Sequence, residues 1–174
     1  MKIPLIIAIC AGLIVSGGAW AAETNFKQRA SGASFPTMVD TNGDGIGANA
    51  VSFQVKGKLG SATLLGFAEF TDFAPYGIDG CDLRAALVQE SFVETFNDGS
   101  MLFFVATSGF NCLNLATFEV GGEFVGTITG GTGRFAGATG SWTTQFDAFL
   151  VGQFMNAFTA TTTGTIEVPH GHHQ

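Results

Sequence analysis

From Phe154 to Val168 the chain reads FMNAFTATTTGTIEV, and alternate residues fall into two distinct sets. One set contains Phe158, Ala160 and Ile166, whereas threonine dominates the other from Thr159 onwards. Successive side chains of a β-strand point to opposite faces, so this pattern predicts a long strand with one covered face.

Further runs of the same kind are separated by turn signals. Trp142 to Leu150 alternates in the same way, and Asn97-Asp98-Gly99 separates two apolar runs with a sequence that favours a hairpin. The chain also contains 25 glycines, each of which would weaken a helix interior by about 1 kcal/mol relative to alanine. We therefore predict an all-β fold, a single antiparallel β-barrel of about eight strands.

The N-terminus has the features of a signal peptide. Lys2 precedes an apolar run, and Ala19-Trp20-Ala21 places small residues where a signal peptidase cleaves. The run is too short and too glycine-broken to span a bilayer, although a retained membrane anchor is the alternative interpretation. We expect cleavage before Ala22 and a secreted or periplasmic protein without a membrane anchor. About 150 residues then remain, the size of one domain.

The charge balance excludes two classes of partner. Fourteen acidic residues oppose seven basic ones, which gives a net charge of −7. The basic residues form no stripe that could follow a phosphate backbone, so we expect no nucleic-acid partner. The same balance disfavours docking on an anionic membrane.

Two cysteines remain beyond the signal peptide, Cys81 and Cys112. An even number in an oxidising compartment predicts one disulfide, which we expect to tie two loops together. Two free buried thiols are the alternative. Because no Cys-x-x-Cys spacing is present, the predicted role is structural rather than redox.

The run from Gly130 to Gly140 reads GGTGRFAGATG and is the most distinctive motif in the chain. It lacks the Gly-Lys-Ser/Thr ending of a phosphate loop and the spacing and following helix of a dinucleotide fingerprint. The pattern instead predicts a tight turn between two strands, with Phe135 filling the core. The predicted turn residues are Gly130, Gly131, Gly133, Arg134, Phe135 and Gly137.

This glycine-rich run after a strand resembles the signature of the allene oxide cyclase and dirigent-like β-barrel superfamily, especially its small secreted bacterial members. The resemblance is specific over residues 124–142 and architectural over residues 49–168. It implies an eight-stranded antiparallel barrel and a homo-trimer. Members of the superfamily act as cyclases or guide radical coupling, but none of their catalytic residues matches a motif outside this turn.

Asp40, Asn42 and Asp44 match the first half of a calcium-binding loop, with Gly45 at the position of its glycine. The twelfth position is Val51, where such a loop needs a bidentate glutamate. An ordinary Asn-Gly and Asp-Gly turn explains the same residues, so calcium and a plain turn remain as alternatives. The three histidines lie in the C-terminal tail, where we expect disorder and only adventitious metal binding.

Three residues are candidate catalytic groups. Glu69 lies among phenylalanines, and Glu94 shares a strand face with Phe92 and Phe96. A carboxyl group buried among aromatic rings would have a raised pKa and could act as a general acid. The preferred interpretation places both glutamates on outer faces that are partly solvated or covered by a partner subunit, because exposed glutamates are far commoner than buried ones. Tyr76, the only tyrosine, is a candidate lid residue in the irregular segment 72–82.

The sequence thus divides into a signal peptide (1–21), an N-terminal strand and turn (22–48), the barrel (49–168) and a His-containing tail (169–174). We expect the barrel to bind a small apolar molecule and, if it is an enzyme, to guide a cyclisation or isomerisation. One alternative is a structural or interaction protein whose barrel is filled with side chains. Another is a calcium-dependent surface module, and no cofactor other than calcium is expected.

Overall fold

The computed structural model describes residues 23–152 and 155–169, so the predicted signal peptide and the three histidines of the tail lie outside the described residues. Nine strands and one 3-10 turn, Gly133–Phe135, make up the regular structure. The strands are β1 (Glu23–Pro36), β2 (Asn49–Gly57), β3 (Gly60–Phe70), β4 (Ala74–Ile78), β5 (Cys81–Phe96), β6 (Met101–Leu113), β7 (Glu119–Gly131), β8 (Thr139–Gly152) and β9 (Met155–Glu167). None of the described residues forms a helix long and apolar enough to cross a membrane.

Eight of these strands close into an antiparallel barrel, as predicted. The order around the barrel is β3-β2-β1-β9-β8-β7-β6-β5, and pairing of β3 with β5 closes it. β1 lies between β2 and β9, so the barrel begins at β1 rather than at residue 49. β4 stands apart from the barrel and pairs only with the start of β5, which places most of the predicted irregular segment 72–82 in a hairpin.

The predicted alternation in β8 and β9 decides which side chains enter the barrel. Trp142, Phe146 and Ala148 of β8 are buried, whereas Phe149 and Leu150 at its end are exposed. In β9 the set that contains Phe158, Ala160 and Ile166 faces the interior, and the threonine-rich set faces outwards. Both strands therefore follow the predicted period-2 pattern, except that Leu150, which shares a face with Trp142 in that pattern, is exposed.

One end of the barrel is filled with side chains. We call it the closed end, and it is bounded by the connections at residues 57–60, 96–101 and 131–139. Trp142, Phe104 and Leu102 are each 2% exposed or less, and the Trp142 indole N–H donates to the carbonyl of Thr127 at 3.2 Å. Gly126 lies against the indole ring, where an added Cβ would come within 2.4 Å of a ring carbon. A glycine on β7 thus makes room for the largest core side chain.

The glycine-rich turn seals the closed end in the way that its sequence predicts. Gly133 adopts a φ of 58°, and Phe135 is buried with its ring centroid 4.8 Å from that of Phe96. Arg134 donates to the carbonyl of Leu59 at 2.8 Å and lies over both aromatic rings. The turn therefore links the hairpin after β2 to the base of the core.

The disulfide Cys81–Cys112 is present, with the two Cα atoms 5.1 Å apart. The expectation that it ties two loops is wrong, because Cys81 begins β5 and Cys112 lies within β6. These strands are neighbours in the barrel wall, where Arg84 pairs with Cys112. The bridge therefore joins two paired strands at the end opposite the glycine-rich turn.

Candidate functional site

The other end of the barrel contains a cavity. We call it the open end, and it is bounded by the connections at residues 36–49, 70–81 and 113–119. The cavity measures about 330 Å³, within the range of small-molecule sites. Phenylalanine is the commonest residue in its wall, which contains Phe53, Phe70, Phe73, Phe92, Phe124, Phe146 and Phe158.

Small and polar residues leave this space unfilled. Ala30, Ala68, Ala148 and Ala160 point into it from four different strands, where bulkier side chains would close it. Apolar side chains are also exposed around the open end, including Met38 and Phe118 at 99% and 68% exposure. Exposed apolar side chains near the opening of such a cavity suit the entry of an apolar molecule.

Glu90 of β5 is the chemically distinctive residue of the cavity. It is 5% exposed, and its Oε2 has no hydrogen-bond partner. Burial raises the pKa of Glu90 to about 8, because the charged form is separated from water. Among the described residues it is the only titratable side chain that lines the cavity. At neutral pH the cavity wall therefore carries a largely protonated carboxyl group.

Other polar groups accompany Glu90. Asn111 of β6 lines the cavity, and its Oδ1 is buried without a partner. The hydroxyl groups of Thr144 and Thr162 lie 2.6 Å apart and share one hydrogen bond, in which either can be the donor. Glu90 and Asn111 therefore present the two unpaired oxygens that a ligand could use.

Glu94 lies deeper than the cavity and is not solvated. It is 3% exposed, and its Oε2 accepts a hydrogen bond of 3.1 Å from the Gln28 amide across the barrel. Burial raises its pKa to about 7, and the bond from Gln28 opposes that rise. The interpretation of Glu94 as an outward, partly solvated residue is wrong, because its face of β5 carries the core residues Phe92 and Phe96.

Glu69 is also buried, but for a different reason. Its neighbours Ala68 and Phe70 line the cavity, so alternation points Glu69 away from it. The connection between β1 and β2 covers the carboxylate, and the Thr41 amide donates to Oε2 at 3.1 Å and the Thr41 hydroxyl to the same oxygen. Glu69 is thus on an outer face, as expected, but shielded by its own chain rather than solvated.

The segment from Asp40 to Gly45 forms a hydrogen-bonded turn. The carboxylate of Asp40 accepts from the amides of Gly43 and Gly45 at 2.6 and 2.8 Å. The backbone bonds from Gly45 and Gly43 hold the pKa of Asp40 below its usual value. Carboxylate oxygens of Asp40, Asp44 and Glu69 lie within 4.8 Å of one another, whereas Asn42 bonds to Asp44. Glu69 therefore places a carboxylate near this loop, whereas Val51, at the twelfth position of the predicted calcium loop, has none.

Tyr76 lies outside the cavity wall, on β4. It is 43% exposed, and its hydroxyl accepts a hydrogen bond of 2.7 Å from Arg84, whose guanidinium also lies over the Tyr76 and Phe110 rings. These contacts fasten β4 to the barrel wall.

Sequence reasoning missed Glu90, Asn111 and Gln28. For Glu90 a signal exists, because Glu90, Phe92, Glu94 and Phe96 share one face of a period-2 strand. Gln28 likewise alternates with Phe26 and Ala30. Asn111 carries no comparable signal, since it lies beside a cysteine in a run with shifted register.

A larger hollow of about 990 Å³ lies over β1, β7, β8 and β9. Its charged lining residues include the exposed Arg29 and Lys56, and the Glu123 carboxylate in the same lining accepts a hydrogen bond of 3.3 Å from the Gln145 amide. None of the buried unpaired oxygens found among the described residues lies there. We therefore place the candidate site in the smaller interior cavity.

No family model and no curated protein matches this chain. Among solved structures it is similar to two pterocarpan synthase dirigent proteins. GePTS1 is 13% identical, with 89% of this chain and 90% of that chain covered and a TM-score of 0.42. PsPTS1 is 15% identical, with 87% and 99% covered and a TM-score of 0.44. Similarity at this level carries no argument about activity, and the eight-stranded barrel rests on the strand pairing of this chain.

Proposed function

We propose that this protein binds a small apolar molecule in the cavity at the open end, with the Glu90 carboxyl group in contact with a polar group of that molecule. The observation that carries the proposal is a buried, unpartnered carboxyl group in a cavity walled by phenylalanine. A native protein rarely leaves such an oxygen unpaired, and a bound ligand would pair it.

A carboxyl group of this kind has a defined chemistry. With a pKa of about 8, Glu90 is mostly protonated at pH 7 and can donate a hydrogen bond or a proton. Proton donation to a bound molecule, shielded from water, is a step that cyclisations and isomerisations use. If the protein is an enzyme, Glu90 is its general acid, and the aromatic wall holds the substrate in a folded shape.

Secretion is part of the same proposal. The disulfide Cys81–Cys112 is consistent with an oxidising compartment, where such bridges persist. The second candidate function, a structural protein with a filled barrel, is favoured by the closed end but not by the cavity above it.

The test combines native mass spectrometry with binding of a neutral fluorescent probe, N-phenyl-1-naphthylamine. Ala160→Phe places a ring in the cavity, whereas Thr159→Phe adds the same ring at the neighbouring, exposed position of β9. We expect the oxidised protein and Thr159→Phe to bind the probe and retain a non-covalent species in the gas phase. Ala160→Phe should lose both.

The opposite outcome would support the structural alternative. Bare protein at every collision energy, together with no probe binding by the unmutated chain, would show that the cavity is not a binding site.

A further inference from the structure

Acidic side chains are concentrated around the open end. Six exposed carboxylates lie on or beside its connections, at Asp40, Asp44, Asp72, Asp79, Asp82 and Glu119. The segments 36–48, 70–83 and 113–120 contain no lysine or arginine. The nearest basic residue in sequence, Arg84, is held by Tyr76 and Phe110. Charges of one sign around a low-dielectric opening concentrate ions of the opposite sign.

The unpaired polar atoms of the cavity also favour a ligand that carries hydrogen-bond donors. Asn111 Oδ1 accepts hydrogen bonds, as does Glu90 Oε2 once the carboxyl group is ionised, and neither has a donor within the protein. No lysine, arginine or histidine lines the cavity among the described residues. A ligand that brings donors satisfies the Asn111 oxygen and the ionised Glu90 carboxylate together, and an ammonium group supplies three donors without adding an acceptor.

The aromatic wall is compatible with a positive charge. Phe158 contacts both Phe53 and Phe146, with centroid distances of 5.8 and 5.5 Å, so ring faces and edges surround the space. The faces of aromatic rings attract cations, and the attraction strengthens when water is excluded. A carboxylate ligand would instead meet an acidic rim, π-electron faces and Glu90.

We infer that the ligand is a cationic amphiphile, an apolar body carrying an amine that pairs with Glu90. This inference rests on the proposed binding function and adds the charge of the ligand. On binding, the Glu90 carboxyl group releases its proton to solvent and the carboxylate pairs with the ammonium, so charge and atoms balance. The acidic rim accelerates entry but lies outside the final contact.

Three probes with one hydrocarbon body separate the charge classes: 4-phenylbutylamine, 4-phenylbutanol and 4-phenylbutyrate. By calorimetry at pH 7 and low salt, we expect the amine to bind at least tenfold more tightly than the alcohol, with the carboxylate weakest. Raising the ionic strength should weaken amine binding and leave the alcohol unchanged. In buffers of different ionisation enthalpy, amine binding should release about 0.9 proton per ligand, given a starting pKa of about 8.

Glu90→Gln and Glu94→Gln form a matched pair on one strand. Glu90→Gln should abolish the preference for the amine and the proton release, while the alcohol still binds. Glu94→Gln changes an equally buried carboxyl group below the cavity and should retain both. If Glu90→Gln fails to fold, the amine-to-alcohol ratio and the proton release of the unmutated protein decide the question.

The outcomes distinguish this inference from the function on which it rests. Equal or tighter binding of the alcohol, with no proton release by the amine, would overturn the cationic ligand and leave the binding cavity in place. Failure of all three probes and of the neutral naphthylamine would overturn both.

Discussion

The two ends of the barrel are built from the same eight strands, yet one is packed and the other hollow. At the closed end, the inward positions carry Trp142, Phe104 and Leu102, and the glycine-rich turn adds Phe135 beneath them. At the open end, alanine, serine and asparagine lie between the inward-facing phenylalanines of the same or adjoining strands. The alternation of side chains is shared by both ends, so residue size alone decides which becomes core and which becomes cavity.

The buried glutamates repeat this contrast on one strand. Glu90 and Glu94 are four residues apart on β5, both buried and both with a raised pKa. Glu94 lies on the closed side and bonds to Gln28, whereas Glu90 lines the cavity with an unpaired oxygen. A carboxyl group with a protein partner suits a structural role, and one without a partner suits a ligand. Two buried carboxyl groups within five residues of one strand are therefore suited to different roles, Glu94 to a structural contact and Glu90 to a ligand contact.

The largest expected effect is a loss of stability as the pH rises. Both glutamates have folded pKa values, about 8 for Glu90 and about 7 for Glu94, above the ordinary 4.5, so the folded state holds protons that the unfolded state releases. Their contribution to the free energy of unfolding is complete below about pH 4.5 and is lost as the pH rises to about 8. Because a tenfold difference in proton affinity corresponds to about 1.4 kcal/mol, the combined loss is on the order of 5–8 kcal/mol.

Urea unfolding between pH 4.5 and 9 measures this loss. Each Glu→Gln variant should remove part of the slope, and Glu94→Gln should remove the part that ends near pH 7. Asp40 and Asp98, whose pKa values are lowered by backbone hydrogen bonds, change protonation below this window and do not obscure it. A flat profile in the unmutated protein would show that these carboxyl groups are already ionised or solvated.

Removal of one aromatic ring from each end should give a smaller but unequal effect. Trp142→Ala leaves a void in a filled core and should lower the free energy of unfolding by about 3–5 kcal/mol. Phe158→Ala enlarges a space that already exists, so a loss of about 1–2 kcal/mol is expected. Denaturant midpoints compare the two variants directly. Equal losses would mean that the open end is packed as tightly as the closed end.

Local patterns in the sequence predicted most of the fold. The alternation in β8 and β9, the Asp98-Gly99 hairpin and the turn around Phe135 depend on neighbours in the chain, and all three appear where expected. Two features depend on closure of the barrel, which no local pattern encodes. β1 is one of the strands of the barrel wall, and the disulfide joins Cys81 to a neighbouring strand. Closure brings residues together that are far apart in sequence.

The candidate site was harder to predict for the same reason. Alternation places Glu94 on one face with aromatic residues, but whether that face is inside or outside depends on the register with β3 and β6. Glu69 shows the opposite case, since it faces outwards and is buried by the connection that contains Thr41. Glu90 could have been identified by extending the Glu94 face two positions towards the open end. Its lack of a partner is visible only once the barrel is closed.

Loss of the disulfide is the third of these perturbations, and it tests whether the two ends are independent. The bridge closes a loop between residues 31 positions apart. Loop closure of that size corresponds to about 3.7 kcal/mol in the chain-entropy model, and β5–β6 pairing near the bridge reduces the expected loss to about 2–4 kcal/mol. Cys81→Ser/Cys112→Ser should therefore lower the urea midpoint.

Hydrogen exchange should rise in β4 and at residues 113–119 while the 96–101 hairpin stays protected, because Arg134 and Phe135 fasten the closed end without the bridge. Equal loss of protection at both ends would instead show that the barrel opens as one unit, so that the cavity could not open without unfolding of the core at the closed end.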